Sequence, residues 1–209
     1  MHRHCILIAL VALLVAPVWA QAPEGWRVRV DESRNAQDPD DTPNLKVAAV
    51  GNGMRVTGGP AGTFWNPAHS VSGTYTVRGN FTLMRPSSHT NYYGLIFGGN
   101  ALDGANQRYV YFLVAQDGTY IIRRRNGESV EDVKESTPHN AIRRPDNSGR
   151  STNALEVRVA GDTISYLVNG TVVHTTPKTG VLASTDGLVG VRVNHVLDVQ
   201  VDGFEHQTS

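Results

Sequence analysis

Residues 153–173 read NALEVRVAGDTISYLVNGTVV, and this stretch decides the fold class of the chain. Apolar and polar residues alternate over residues 155–159, and a second run at 163–168 is rich in β-branched and aromatic residues. Ala160-Gly161-Asp162 separates the two runs. Asn169-Gly170, a pair typical of type I′ turns, follows the second run. The stretch therefore predicts an antiparallel meander of short strands.

The same alternation recurs along most of the chain. Residues 108–115 and 119–125 flank Asp117-Gly118, which predicts a second hairpin. No helix-length stretch shows a 3.6-residue period. Polar residues and prolines dominate 31–44 and 129–150, which we expect to be loops. Further strands are expected at residues 26–30, 53–57, 62–65, 73–85, 92–97, 171–174, 187–194 and 197–204.

About ten to twelve antiparallel strands of this length would split into two packed sheets. The fold class predicted from the sequence is therefore all-β, a two-sheet antiparallel sandwich. Successive strand side chains point to opposite faces. We expect one alternating set to face between the sheets: Leu155, Val157, Val159, Val191 and Val193. The outward set would be Glu156, Arg158, Arg192 and Asn194, lining a concave surface if one sheet curves.

The first 20 residues are predicted to be a signal peptide. Arg3 supplies a positive start, residues 6–16 are apolar, Pro17 closes the run, and Ala20 ends a sequence suited to cleavage. An uncleaved anchor helix is the alternative. Cleavage would remove Cys5, the single cysteine, and would leave an exported protein, secreted or periplasmic. The remaining chain is divided into a short lead at 21–25, a sandwich domain at 26–205 and a C-terminal tail at 206–209.

The formal net charge of the chain is zero, which predicts no basic face and no nucleic-acid partner. After the signal, no apolar run is long enough to span a membrane.

Three motifs in order resemble a known superfamily. They are N-x-L-x-V-x-V at 153–159, V-N-G-x-x-V at 168–173 and D-G-x-x-G-x-R at 186–192. This order is similar to the concanavalin A-like lectin/glucanase superfamily, above all to the DUF1080 group, named for 3-keto-disaccharide hydrolases, and to laminin-G-like domains. The resemblance implies a jelly-roll sandwich over most of residues 26–205. It leaves the activity open, because the superfamily includes glycosidases, lectins, adhesion modules and protein-binding domains. The E-x-D-x-x-E run of its glucanases is missing from the sequence.

Candidate ligand-binding residues lie on the predicted hairpin and near the end of the chain. Tyr109 and Tyr111 share one strand face, and we expect them to be more exposed than Val110 and Phe112, because a tyrosine has an apolar ring and a polar tip. Sugar rings stack on such side chains. The alternative is ordinary packing of the sandwich. The candidate ligand-binding residues are Tyr109, Tyr111, Arg123, Arg125, Arg192 and Asn194.

Catalytic and metal-binding candidates are fewer. Glu156, Arg192 and His195 are the catalytic candidates for glycoside cleavage, a reaction that usually needs two carboxylates in one cleft. Solvated strand residues and a hydrogen-bonded strand end are the alternatives. The histidines are too widely spaced to predict a metal site, and no cofactor is predicted. Calcium is considered only at residues 38–41 (DPDD), which also suit a solvated linker.

The leading functional hypothesis is a module that binds a carbohydrate or a cell-envelope polymer on one sheet face. The first alternative is a glycoside hydrolase of the 3-keto-disaccharide hydrolase (DUF1080) kind. The second is a protein-interaction or structural envelope module. Carboxylates that converge in one cleft would favour the hydrolase.

Overall fold

A computed structural model describes residues 22–31 and 44–209 of the chain. Apart from a short 3₁₀ turn at Gly180–Leu182, their regular structure consists of β-strands. The strands are β1 (Arg27–Val30), β2 (Lys46–Val50), β3 (Gly53–Thr57), β4 (Gly62–Val71), β5 (Tyr75–Arg85), β6 (Tyr92–Asn100), β7 (Arg108–Ala115), β8 (Thr119–Asn126), β9 (Ser129–Pro138), β10 (Ser151–Ala160), β11 (Thr163–Val168), β12 (Thr171–Pro177), β13 (Gly187–Val193) and β14 (Asp198–Thr208). The predicted signal peptide and the calcium candidate at 38–41 lie outside the described residues.

The strands form two antiparallel seven-stranded sheets, which confirms the predicted sandwich. Sheet A has the order β1-β4-β13-β6-β7-β8-β9, and sheet B has the order β12-β11-β10-β5-β14-β3-β2. Apolar side chains from both sheets meet in one core. The predicted inward residues all belong to this core: Leu155, Val157, Val159, Val191 and Val193. None of the described segments is a helix long and apolar enough to cross a membrane.

The two predicted hairpins form as expected. Asn169 and Gly170 have φ angles of 51° and 80°, the positive values that a type I′ turn requires at both central positions. β7 and β8 pair across Asp117-Gly118. β6, which includes the strand predicted at 92–97, lies between β13 and β7 and is buried along most of its length.

The structure differs from the predicted strands in four main places. β4, predicted at 62–65, continues to Val71. β2 was not predicted. Within 129–150, predicted to be a loop, residues 129–138 form β9, an edge strand of sheet A whose side chains are largely exposed. Because most of its side chains face solvent, its sequence lacks the apolar alternation that reveals a strand. β14 continues to Thr208, so most of the predicted C-terminal tail belongs to sheet B.

Aromatic side chains from the two sheets meet at one margin of the sandwich. His69 of β4 stacks on Phe204 of β14, with 5.9 Å between ring centroids, and lies 4.9 Å from the ring of His206. Trp26 packs edge-on against both His69 and Phe204. His69 Nδ1 is buried and has no hydrogen-bond partner among the described residues. The two half-buried histidine rings therefore lie close together at this margin.

Candidate functional site

The outer face of sheet A carries a buried arginine. Arg192 lies on β13 between Val191 and Val193, whose side chains enter the core, so its own side chain points to the opposite face. Arg192 Nη1 donates to Tyr109 Oη at 2.9 Å and to Thr63 Oγ1 at 3.1 Å, and Nη2 donates to Asp31 Oδ2 at 2.7 Å. The residue is only 6% exposed. A buried charge is tolerated when it is paired and hydrogen-bonded in this way.

Asp31 is the carboxylate partner of this arginine. It follows β1, and its Oδ2 also accepts a hydrogen bond from Arg125 Nη1 at 3.3 Å. Burial alone would raise the pKa of Asp31, but the charges of Arg192, Arg125 and Arg29 outweigh burial and hold the pKa below its ordinary value. Asp31 is therefore ionised at neutral pH.

A third arginine and a buried amide complete the group. With its amide oxygen turned towards the guanidinium groups, Gln107 accepts hydrogen bonds from Arg125 Nε at 3.2 Å and from Arg29 Nε at 3.1 Å. Arg29 Nη1 donates to the carbonyl of Gly104 at 2.9 Å. We call Arg29, Asp31, Gln107, Arg125 and Arg192 the guanidinium cluster. Sequence reasoning selected Arg125 and Arg192 but missed the other three members.

Tyr109 and Tyr111 lie side by side on this outer face, as the alternation of β7 predicts, while Val110 and Phe112 enter the core. Their ring centroids are 5.7 Å apart. The expectation that the tyrosines are the exposed pair of this strand is wrong, because they retain only 1% and 5% of their accessible surface and are buried like Val110 and Phe112. They belong to a second apolar cluster with Trp65, Ile96, Leu102, Leu113 and Ile121. The Tyr109 hydroxyl is occupied by Arg192, and the Tyr111 ring lies 5.5 Å from the Arg192 guanidinium carbon.

Arg123 is the most accessible of the predicted arginines on this face. It lies opposite Tyr111 in the β7–β8 register, and Arg125 lies opposite Tyr109. Arg123 forms an ion pair with Asp132 of β9, and its side chain is 38% exposed. Burial is the main reason that the pKa of Tyr111 is raised, although Arg192 and Arg123 partly oppose the increase. Tyr111 therefore remains a neutral hydroxyl beside two guanidinium groups.

Asn194 follows β13 at the end of this face. Its backbone N–H donates to the carbonyl of Tyr92 at 2.9 Å. Its Oδ1 is buried without a hydrogen-bond partner among the described residues. His195 comes next, in the turn that leads to β14.

Glu156 lies on the other side of the sandwich. It is on β10 between two core residues, so it points outward from sheet B, where it forms an ion pair with Arg158. Arg192 points outward from sheet A. The predicted combination of Glu156 with Arg192 is therefore wrong, because the two-sheet core lies between them.

Glu156 does share a cleft with a second carboxylate. Arg78 of β5 lies between Glu156 and Glu205 in the sheet register, and its Nε donates to Glu205 Oε1 at 2.7 Å. The cleft has a volume of about 250 Å³ and is lined partly by the small residues Gly79, Ala154, Gly170 and Gly203. Each carboxylate is bound by an arginine, and Glu205 is 59% exposed. A glycosidase general acid needs a buried environment that favours the protonated form, which Glu205 lacks.

Comparison with protein-family models gives no match. The curated proteins also give no match to the sequence.

Solved structures share the fold. The carbohydrate-binding module CBM66 from Bacillus subtilis is similar over 88% of this chain and 95% of its own, with a TM-score of 0.61 and 12% identity. A Bacillus subtilis protein of unknown function with a galectin-like fold is similar over 87% of this chain and 88% of its own, with a TM-score of 0.61 and 11% identity. A mutant of the Emp46p carbohydrate recognition domain is similar over 87% of each chain, with a TM-score of 0.56 and 14% identity. At these identities the likeness establishes the jelly-roll fold alone.

Proposed function

We propose that this protein binds a carbohydrate on the outer face of sheet A. The observation that carries the proposal is the convergence of Tyr109, Tyr111, Arg123, Arg125 and Arg192 on that one face. The names of two structural neighbours, a carbohydrate-binding module and a carbohydrate recognition domain, support the same class of ligand.

The tyrosines have a different role in this proposal from the one that their sequence suggests. Their rings are buried, so they form a floor that orients the Arg192 guanidinium instead of a surface on which a sugar stacks. Arg123 and Arg125, which are nearer the solvent, would donate hydrogen bonds to sugar oxygens. Asn194 Oδ1, which lacks a described partner, would accept one from a sugar hydroxyl. Donors held at two positions of one strand, β8, suit the fixed spacing of hydroxyls on a sugar ring.

The predicted signal peptide bears on where the protein would act. We propose that residues 1–20 direct export and that the partner is a carbohydrate or polymer of the cell envelope or its surroundings. The narrower resemblance to the DUF1080 and laminin-G-like groups stays a prediction.

A glycan array followed by calorimetric titration tests the proposal. Arg123→Gln should weaken binding by about tenfold or more, because a hydrogen bond from a charged donor contributes roughly 1.5–3 kcal/mol. Arg78→Gln is the matched control: it removes an exposed arginine from an ion pair on the opposite sheet and should leave binding unchanged. An array that retains no glycan, or equal losses in the two variants, would refute the proposal.

The hydrolase alternative has one favourable observation, the shared cleft of Glu156 and Glu205. Turnover of 3-keto or ordinary disaccharides that is lost in Glu156→Gln would establish it and would move the functional site to sheet B. Absence of turnover together with retained glycan binding would exclude the hydrolase and support the proposed carbohydrate-binding function.

A further inference from the structure

The guanidinium cluster contains more positive than negative charge. Among the residues that the structure describes, three guanidinium groups, of Arg29, Arg125 and Arg192, surround one carboxylate, that of Asp31. The side chain of Arg125 is 16% exposed and that of Asp31 is 15% exposed, so the cluster lies just below the protein surface. Interactions between charges are weakly screened at such a depth. An anion that reaches the cluster would therefore be strongly attracted.

Neutral groups hold the arginines where further carboxylates would otherwise be expected. Gln107, 1% exposed, offers an uncharged oxygen to both Arg29 and Arg125. Backbone carbonyls of Gly104 and Gly127 accept further bonds from these two arginines. Amide and carbonyl oxygens orient guanidinium groups without neutralising them. The geometry of the arginines is thus fixed in advance, while among the described residues the three positive charges share one carboxylate, which Arg125 and Arg192 contact directly.

Two buried atoms in the cluster have no hydrogen-bond partner within the described part of the chain. They are the donor Nε of Arg192 and the acceptor Oδ1 of Asp31. Both described bonds to Asp31 converge on its other oxygen, Oδ2. Buried polar atoms are seldom left unpaired in native proteins. The unpaired set is complementary to a molecule that offers both an anionic acceptor and a hydroxyl donor.

A sugar acid combines these groups on one ring. We infer that the saccharide bound by this face carries a carboxylate, as a hexuronate does, and that the carboxylate binds at Arg125 and its neighbours while a ring hydroxyl approaches Asp31. Planar guanidinium groups suit carboxylates because both can form two parallel hydrogen bonds. This inference rests on the proposed function and adds the chemical class of its ligand.

The test compares saccharides that differ only in charge. Oligogalacturonate and oligomannuronate are titrated into the protein in a calorimeter, and so are their methyl esters, in which a neutral ester group replaces the carboxylate. We expect the acids to bind about tenfold more tightly or better at low salt, and the advantage to shrink as salt rises. Methyl esters that bind as tightly as the acids would overturn the inference and leave the proposed function intact.

Gln107→Glu provides a specific variant. It adds a carboxylate between Arg29 and Arg125 with almost no change of shape, so it should remove most of the preference for acids over esters. Arg78→Gln, on the other sheet, should keep that preference. Melting temperatures of both variants report whether the fold is retained. A preference that survives in well-folded Gln107→Glu would show that the cluster does not select the acid.

The remaining outcomes are separable. Sulfated glycans that bind while uronates do not would retain an anion site and overturn the assignment to a sugar acid. Neutral glycans that bind on the array while neither uronates nor sulfated sugars do would overturn the inference alone. Failure of every glycan would refute the proposed function itself.

Discussion

Arg192 Nη2 donates a hydrogen bond to Asp31 Oδ2 at 2.7 Å, across 161 positions of sequence. Arg192 lies on β13, Asp31 follows β1, and β4 lies between these two strands in sheet A. The two side chains are 8% and 15% exposed. The ion pair therefore connects the edge of the sheet with its interior across one intervening strand.

Asp31→Ala should destabilise the protein by about 3 kcal/mol or more, because removing one partner of a buried pair leaves the other charge uncompensated. Urea unfolding of the variant measures the change. Arg78→Gln, which breaks the exposed pair with Glu205, should have no measurable effect on the free energy of unfolding. Equal effects of the two substitutions would show that the Arg192–Asp31 pair is not held as the structure describes.

The same carboxylate should contribute to acid unfolding. The pKa of Asp31 is lower in the folded protein than in the unfolded chain, so its contribution to stability is full above about pH 4 and is lost as the pH falls through the folded pKa. Urea midpoints measured from pH 6 to pH 2 should fall less steeply in Asp31→Asn than in the unsubstituted protein. Parallel curves would contradict this assignment.

His69 should produce a second pH dependence at higher pH. Burial, and secondly the charge of His206, lower the pKa of His69 in the folded protein. Folding therefore favours the neutral ring, and the corresponding stability is full above about pH 6.5 and decreases as the pH falls below that value. An NMR titration should give a pKa below the ordinary value, and His206→Gln should raise it by removing the neighbouring charge. An unshifted midpoint in the unsubstituted protein would refute the prediction.

The tyrosines of β7 should behave as core residues. Tyr109→Ala removes a buried ring and should cost about 3–5 kcal/mol. Tyr109→Phe removes only the oxygen that accepts from Arg192 and should cost roughly 1–2 kcal/mol. Tyr92→Phe is a control, because the Tyr92 hydroxyl bonds Ser136 and Thr119 on a half-buried side chain and its loss should cost less. Full stability of Tyr109→Ala would show that the ring is dispensable to the sheet.

The alternation of residues in the sequence predicted much of this face. It placed Tyr109 and Tyr111 on one side of β7 and the core residues Val110 and Phe112 on the other. It did not predict that the tyrosines are buried, because their burial depends on side chains that come together from distant parts of the chain. Asp31 illustrates this, since its contacts with Arg125 and Arg192 span 94 and 161 positions.

A usable signal for two of the three missed residues, Arg29 and Asp31, was nevertheless present. Residues 27–31 read RVRVD, and continued alternation places Arg29 and Asp31 on the same side. Gln107 had no such signal, because it precedes β7 in a turn and its role depends on where Arg29 arrives. The sequence also could not predict that Glu156 and Arg192 lie on opposite sides of the sandwich. Alternation predicts that both point outward, but only the topology shows that they belong to different sheets.

The short first strand has a consequence for association between molecules. β1 has four residues and forms one edge of sheet A, where it pairs with β4. An unpaired strand edge is a template for the addition of strands from other chains. The ion pair that fixes the end of β1 to β13 therefore also helps to keep the edge of β4 paired. We expect protonation of Asp31, which weakens this pair, to make the edge of β4 more available to strands of other chains.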